Sequence, residues 1–344
     1  MALSAHQPSP SASPSPMKFF EAVNSYQRTA ALKAAIELNL FTAIAEGATS
    51  PAAIAEKTNA AERGVRILCD FLAVHGLLEK QDGEFVLTPD SAFFLNRNSQ
   101  AFMGGTIQFL LSPKLDEAFR RLTDAVRRGG SALDETSVTP EDPMWVAFAR
   151  AMTPMAFPLS QSAASILPLP DDCESKVLDI AASHGMYGIA MAKRHPRAHI
   201  VGLDWKNVLE LTKENAAKFA VSDRYSTIAG DAFTVDFGTN YDAILLPNLL
   251  HHFDQHACEK LLAKCKQALK PGGYVAIIEF VPNDDRISPP VSACFSMTML
   301  ATTPSGDAYT LREFNQMLAA AGFDTPEAYP LPPAEHLMIV SKRT

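Results

Sequence analysis

The chain has 344 residues, 47% of them apolar, with a net charge of −8. That is length for about two domains and enough apolar content for a large core. The acidic balance argues against a nucleic-acid or anionic-membrane partner. No apolar run approaches the ~20 residues of a membrane helix. The scattered Cys69, Cys173, Cys258, Cys265 and Cys294 read as reduced thiols of a cytoplasmic protein.

Residues 1–16, rich in Ser, Pro and Ala, read as a disordered tail. From Met17 to Glu46 apolar residues recur at helical spacing. Thr49-Ser50-Pro51 predicts a capped helix start, and a second helix is expected from Glu62 to His75. Two short apolar runs flank Asp82-Gly83, which predicts a hairpin across that dipeptide. Helices followed by a hairpin make a winged helix. Between Ser50 and Asp90, however, the basic residues Lys57, Arg63, Arg66 and Lys80 face seven acids, Glu56, Glu62, Asp70, Glu79, Asp82, Glu84 and Asp90. A duplex reader needs a basic face, so packing or dimerisation is the better reading.

Helical segments are expected to Arg128, then a loop from Gly129 to Pro143. Met144–Leu167 reads as helical but broken at Pro154 and Pro158, with a Met/aromatic stripe that is either core or pocket. The domains are placed at 17–110 (all-α winged helix), 111–170 (linker helices) and 171–344. In the last of these, strands and helices alternate, which predicts an α/β domain with a parallel doubly wound sheet. Ligands sit at the carboxyl ends of such strands.

Lys176–Trp205 organises the third segment. The apolar run Val177, Leu178, Ile180 encloses Asp179, and a turn of small residues ends at Gly185. A helix pattern leads to a second apolar run that ends at Asp204. Strand, small-residue turn, helix, strand, acid is the opening unit of a nucleotide-binding sheet. No Lys-Ser/Thr pair follows the turn, so a P-loop is excluded. Asp179 would repel a phosphate and suits a cationic ligand. S-adenosylmethionine has an ammonium, a sulfonium and a ribose but no phosphate, and Asp204 is placed to accept from the ribose hydroxyls.

The sequence resembles the small-molecule O-methyltransferases, both the plant caffeate and isoflavone enzymes and the bacterial antibiotic-tailoring ones, from Met17 to the C-terminus. The most specific stretch is Leu250-His251-His252-Phe253-Asp254, followed by Leu269-Lys270-Pro271-Gly272-Gly273 and Ile278-Glu279. The resemblance implies a Rossmann-like class I methyltransferase domain behind a winged-helix dimerisation domain, a homodimer, and S-adenosylmethionine as cofactor. It places His251 as the general base. Cofactor contacts fall on Asp179, Ala181, Ser183 and Gly185 in the loop, on Asp204 with Trp205, and on Asp231 with Ala232 and Phe233. Three positions depart from the family pattern. Asp-x-Gly-x-Gly-x-Gly is here Asp179-Ile-Ala181-Ala-Ser183-His-Gly185, a frequent lysine is Pro247, and a second carboxylate flanking the base is Ala308.

Loss of a phenol's proton near pKa ~10 to a neutral histidine near ~6.5 is ordinary general-base chemistry. Glu279 either receives the other ring N–H of His251 or caps a loop amide. His184 can touch ligand or cap its turn. Cys294–Leu300 is either an acceptor-pocket wall or a core helix. His252, His256 and Cys258 have conceivable zinc spacing, but no second ligand pair accompanies them and no metal is expected. The expected activity is O-methylation of a small, mostly apolar, aromatic hydroxyl compound. The alternatives are N-, C- or S-methylation on the same fold, or a member that binds the cofactor without methylating. At Ser183, positive φ would mean stored strain and negative φ a hydroxyl free to bond the cofactor.

Overall fold

The computed structural model describes residues 14–134, 139–170 and 172–344. Most of the expected tail, part of the 129–143 loop, and Asp171 at the expected domain boundary lie outside these residues. The chain forms two compact units, divided between Gly104 and Gly105.

The first unit contains α1 (Met17–Glu37), α2 (Leu40–Ala45), α3 (Pro51–Thr58), α4 (Glu62–Val74), the strands β1 (Leu78–Gln81) and β2 (Glu84–Leu87), and α5 (Pro89–Phe94). The long first helix expected from periodicity breaks at Asn39, whose φ of +55° starts α2. Ser50 caps α3 through the Ala53 N–H, with Pro51 in the first turn. β1 and β2 pair antiparallel around Asp82-Gly83, both at positive φ. Phe41, Ile54, Leu72, Leu78 and Phe85 form the buried centre. Phe19, Phe20, Val23 and Tyr26 leave an apolar stretch of α1 exposed.

The second unit begins with α6 (Ile107–Leu110), α7 (Pro113–Arg120), α8 (Leu122–Arg128) and α9 (Pro143–Ile166). It continues with β3 (Ser175–Ile180), α10 (Met186–Arg194), β4 (Ala198–Asp204), α11 (Lys206–Lys218), β5 (Tyr225–Ala229), β6 (Tyr241–Pro247) and α12 (Gln255–Ala268). The remaining elements are β7 (Leu269–Phe280), α13 (Pro290–Thr302), α14 (Leu311–Ala320), β8 (Glu327–Leu331) and β9 (His336–Lys342). Seven strands form one sheet in the order β5-β4-β3-β6-β7-β9-β8. Apolar side chains cover both faces, with Ile189, Met191 and Leu159 on one and Leu261, Phe314 and Leu318 on the other.

Three expectations are corrected. The sheet is mixed rather than parallel, because β9 runs antiparallel to both β7 and β8. A connection as short as the one between β8 and β9 cannot carry a parallel crossover. Helix α9 runs unbroken through Pro154 and Pro158. Burial of Ala149, Ala156, Leu159 and Ala163 along it outweighs the lost backbone bonds. The Pro271–Gly273 turn is absorbed into β7 as a register shift, with Leu269 opposite Tyr241 but Tyr274 opposite Ala243.

Candidate active site

Parallel pairing of β6 with β7 brings their carboxyl ends side by side, Pro247 opposite Ile278. Beyond β6, Asn248 turns the chain at φ +52°, and a single helical turn, Leu250–His252, carries His251. Glu279 is the penultimate residue of β7. The His251 ring Nδ1 lies 2.6 Å from Glu279 Oε2, and the His251 backbone N–H donates to Oε1 at 3.3 Å. Glu279 thus meets the ring with one oxygen and caps the turn with the other. A carboxylate at Nδ1 fixes the proton there and leaves Nε2 with its lone pair. His251 and Glu279 are 5% and 0% exposed, so the pair is held in a dry setting.

The turn is fastened from below. Cys258 Sγ donates to the Leu250 carbonyl at 3.2 Å, and Tyr309 Oη to the Phe253 carbonyl at 2.5 Å. Phe295 of α13 meets the His251 ring edge-on at 4.9 Å and stacks on Phe280 at 4.1 Å. His336 also packs on Phe280, at 4.0 Å, with its Nε2 3.2 Å from Asn248 Oδ1. Burial pushes the His336 imidazole down to about 4 and keeps it neutral. Near the turn that carries His251, against which Gly306 packs, a cavity of about 380 Å³ is lined by Ser296, Met297, Leu300, Thr303, Gly306 and Asp307. Within α13, Met299 and Ala301 are buried while Met297 lines this cavity. Ala308, at the position of the family's second carboxylate, is buried, and Asp307 turns to Arg286 at 3.1 Å.

His252 packs edge-on against Trp145 of α9 at 5.7 Å, beside the His251 ring. Burial, and then the neighbouring His251, push it well below the ordinary histidine value. Among the described residues no three His, Cys, Asp or Glu side chains gather to hold a metal ion. No helix among them is long and apolar enough to cross a membrane.

The small-residue turn follows β3. Ala181 and Ser183 have φ of +56° and +54°, left-handed values that cost a non-glycine residue about 1–3 kcal/mol each. Gly185 follows at φ +76°. Asp179 is fully buried beneath the turn and accepts the Gly188 N–H at 3.0 Å. Desolvation pushes its carboxyl up to about 8. It braces the turn from below instead of facing the cleft. Tyr225 reaches the same space from β5: a methyl on Gly188 would come 2.9 Å from its hydroxyl and 3.0 Å from Asp179 Oδ2. Glycine at 188 is required by that close approach.

Asp204 ends β4, with one oxygen on the Ser183 N–H at 2.8 Å and the other on the Trp205 N–H at 2.6 Å. Each oxygen keeps a further lone pair for a ribose hydroxyl. Partial burial pushes this carboxyl up to about 6, against the two N–H bonds. Trp205 packs with Trp145 around Ala149, Val208 and Leu211. Asp231, just past β5, accepts the Phe233 N–H on Oδ1 and leaves Oδ2 for a ligand amine. Phe233 meets Phe253 at 4.8 Å, and the Ala232 carbonyl takes Lys264. His184 caps its turn, its Nδ1 accepting the Met186 N–H at 3.1 Å; burial pushes it down to about 4. Sequence reasoning missed Thr212, Asn215, Tyr225, Tyr309 and His336, none of which lies in a motif.

A sheet of this order, with acids and histidine at the carboxyl ends of its strands, defines a class I methyltransferase. Residues 172–324 match the model of the O-methyltransferase domain, and residues 20–97 that of the O-methyltransferase dimerisation domain. A 3-hydroxy-5-methyl-1-naphthoate 3-O-methyltransferase of Streptomyces sahachiroi is 30% identical over 302 residues, 86% of each chain. The chain belongs to the O-methyltransferase family. A solved Nostoc punctiforme structure, described provisionally as an O-methyltransferase, is 50% identical with a TM-score of 0.92, covering 96% of this chain and all of that one. Human N-acetylserotonin methyltransferase in complex with S-adenosylmethionine is 22% identical with a TM-score of 0.83, covering 97% of this chain and 99% of that one. The turn, Asp204 and Asp231 fit such a cofactor: they offer a small-residue cradle, lone pairs for a ribose and a free carboxylate oxygen for an amine.

Proposed function

We propose that the protein is a homodimeric, S-adenosylmethionine-dependent O-methyltransferase of a small, mostly apolar aromatic hydroxyl compound. When bound, the cofactor supplies an electrophilic methyl group on a cationic sulfur. Ala181, Ser183 and Gly185 seat its methionine end, Asp204 its ribose and Asp231 with Phe233 its adenine. His251 Nε2 takes the acceptor's proton as the oxygen attacks, and Glu279 holds the tautomer and stabilises the imidazolium that results. Phe295 and the apolar wall of α13 exclude water and align the ring. The 2.6 Å bond between His251 and Glu279 carries this reading. Its test is incubation with S-adenosylmethionine and a panel of phenols, reading S-adenosylhomocysteine release and product mass. O-methylated phenol is the expected result. Methyl on nitrogen, carbon or sulfur would reassign the accepting atom, and cofactor binding without turnover on any acceptor would overturn the reading. The dimer forms through residues 17–110, supported by the matched dimerisation domain and the exposed apolar face of α1. A monomer by light scattering at micromolar concentration would contradict it.

A further inference from the structure

The cofactor turn holds two non-glycine residues at left-handed φ, and something must keep them there. The Ala182 N–H is paired with the Leu203 carbonyl at 3.0 Å, and the Ser183 N–H with Asp204. The Ala182 carbonyl takes the Gly185 N–H at 2.7 Å within the turn, but the next two carbonyls are held from elsewhere. Thr212 Oγ1 donates to the Ser183 carbonyl at 2.6 Å, and Asn215 Nδ2 to the His184 carbonyl at 2.8 Å. Both side chains lie on α11, three residues apart and so on one face. They are 0% and 8% exposed. Polar side chains in mid-helix do little for the helix itself, and burying them is favourable only with partners. Here the partners are loop carbonyls. Thr212 also presses its methyl against Gly185, where an added Cβ would lie 2.8 Å away.

We propose that Thr212, seconded by Asn215, is a positioning residue for cofactor binding: it clamps Ser183 in a left-handed conformation that a serine otherwise leaves. Asp204 and Thr212 grip the two peptide groups of Ser183, so φ and ψ cannot relax without breaking one bond. A glycine populates that conformation freely and needs no clamp. The clamp therefore sets the fraction of molecules whose loop is competent, and apparent affinity scales with that fraction. The proposal rests on this turn being the cofactor's seat.

The test is a double-mutant cycle read by calorimetric titration of S-adenosylhomocysteine. Thr212→Val, which keeps the shape and removes the hydroxyl, should weaken binding about tenfold, the worth of one well-placed hydrogen bond. Thr212→Ser should bind like the wild type. In a Ser183→Gly background the same Thr212→Val change should cost less than about threefold, because the glycine holds the turn unaided. Equal costs in the two backgrounds would overturn the clamp, since a residue acting by packing alone gives additive losses. Where Thr212→Val does not fold, Ser183→Gly alone decides: tighter binding supports stored strain, and equal or weaker binding refutes it. Asp204→Asn separates the two levels of inference. Unchanged affinity there would show that the seat itself is misassigned, whereas weakened binding with additive Thr212 costs would remove only the clamp.

Discussion

The two halves of the site reach their geometry by different routes. The half around His251 keeps the family's histidine and Glu279 while departing from its pattern at Pro247 and Ala308, and its geometry comes from main-chain topology: two parallel strands end together and present His251 to Glu279. The cofactor half departs from the pattern at Ala181 and Ser183, yet its turn keeps a glycine-like backbone, with φ near +55° at both. Side chains on a neighbouring helix hold the carbonyls of Ser183 and His184 there. A motif can thus be lost in sequence and kept in space, provided that buried polar groups elsewhere replace what the glycines supplied.

The sharpest way to break the contrast is His251→Ala. Turnover should fall by ~10² to 10⁴, the span of a general base, while S-adenosylhomocysteine affinity by calorimetry barely moves. Full activity on a phenol would move the base elsewhere. Glu279→Gln should lower kcat by about 10- to 100-fold, again without changing cofactor affinity, since an amide can still accept the ring N–H but does not stabilise the imidazolium. A loss confined to affinity would place Glu279 in the other half of the site.

Ser183→Gly acts in the opposite direction. It should tighten S-adenosylhomocysteine binding by a factor of a few to ~10 by releasing strain at positive φ. The smallest effect concerns Asp179. Its folded carboxyl titrates at about 8 against an ordinary 3.8. Between those values the folded protein keeps a proton that the unfolded chain has lost. This group's contribution is therefore complete below 3.8 and is lost as pH rises to about 8. Relative to Asp179→Asn, the melting temperature of the cofactor-free wild type should fall steadily as pH rises across that window. Parallel melting curves from pH 4 to 8 would show that the brace beneath the turn does not titrate there.

Much of the molecule was legible because its signals are local. Asp82-Gly83 specified the hairpin, Ser50-Pro51 the start of α3, and the alternation after residue 175 the layered α/β sheet. The spacing from His251 to Glu279 placed both at strand ends, which determined their neighbourhood before any side chain was positioned. What escaped was every decision that needs a third dimension. In sequence, Thr212 and Asn215 are two polar residues within a helix; only the packing of α11 against the turn makes them partners of its carbonyls. Tyr225 and Tyr309 read as strand and loop aromatics until folding aims their hydroxyls at Asp179's pocket and the base turn. The direction of β9 is set by the short link from β8, not by its own residues. Sequence by itself determined the elements, the family and the meeting of His251 with Glu279 at neighbouring strand ends, because periodicity, caps and strand-end motifs act over a few residues. Only the tertiary structure decided how a turn without its glycines keeps its shape, because the hydrogen bonds that hold it come from side chains about thirty residues away along the chain.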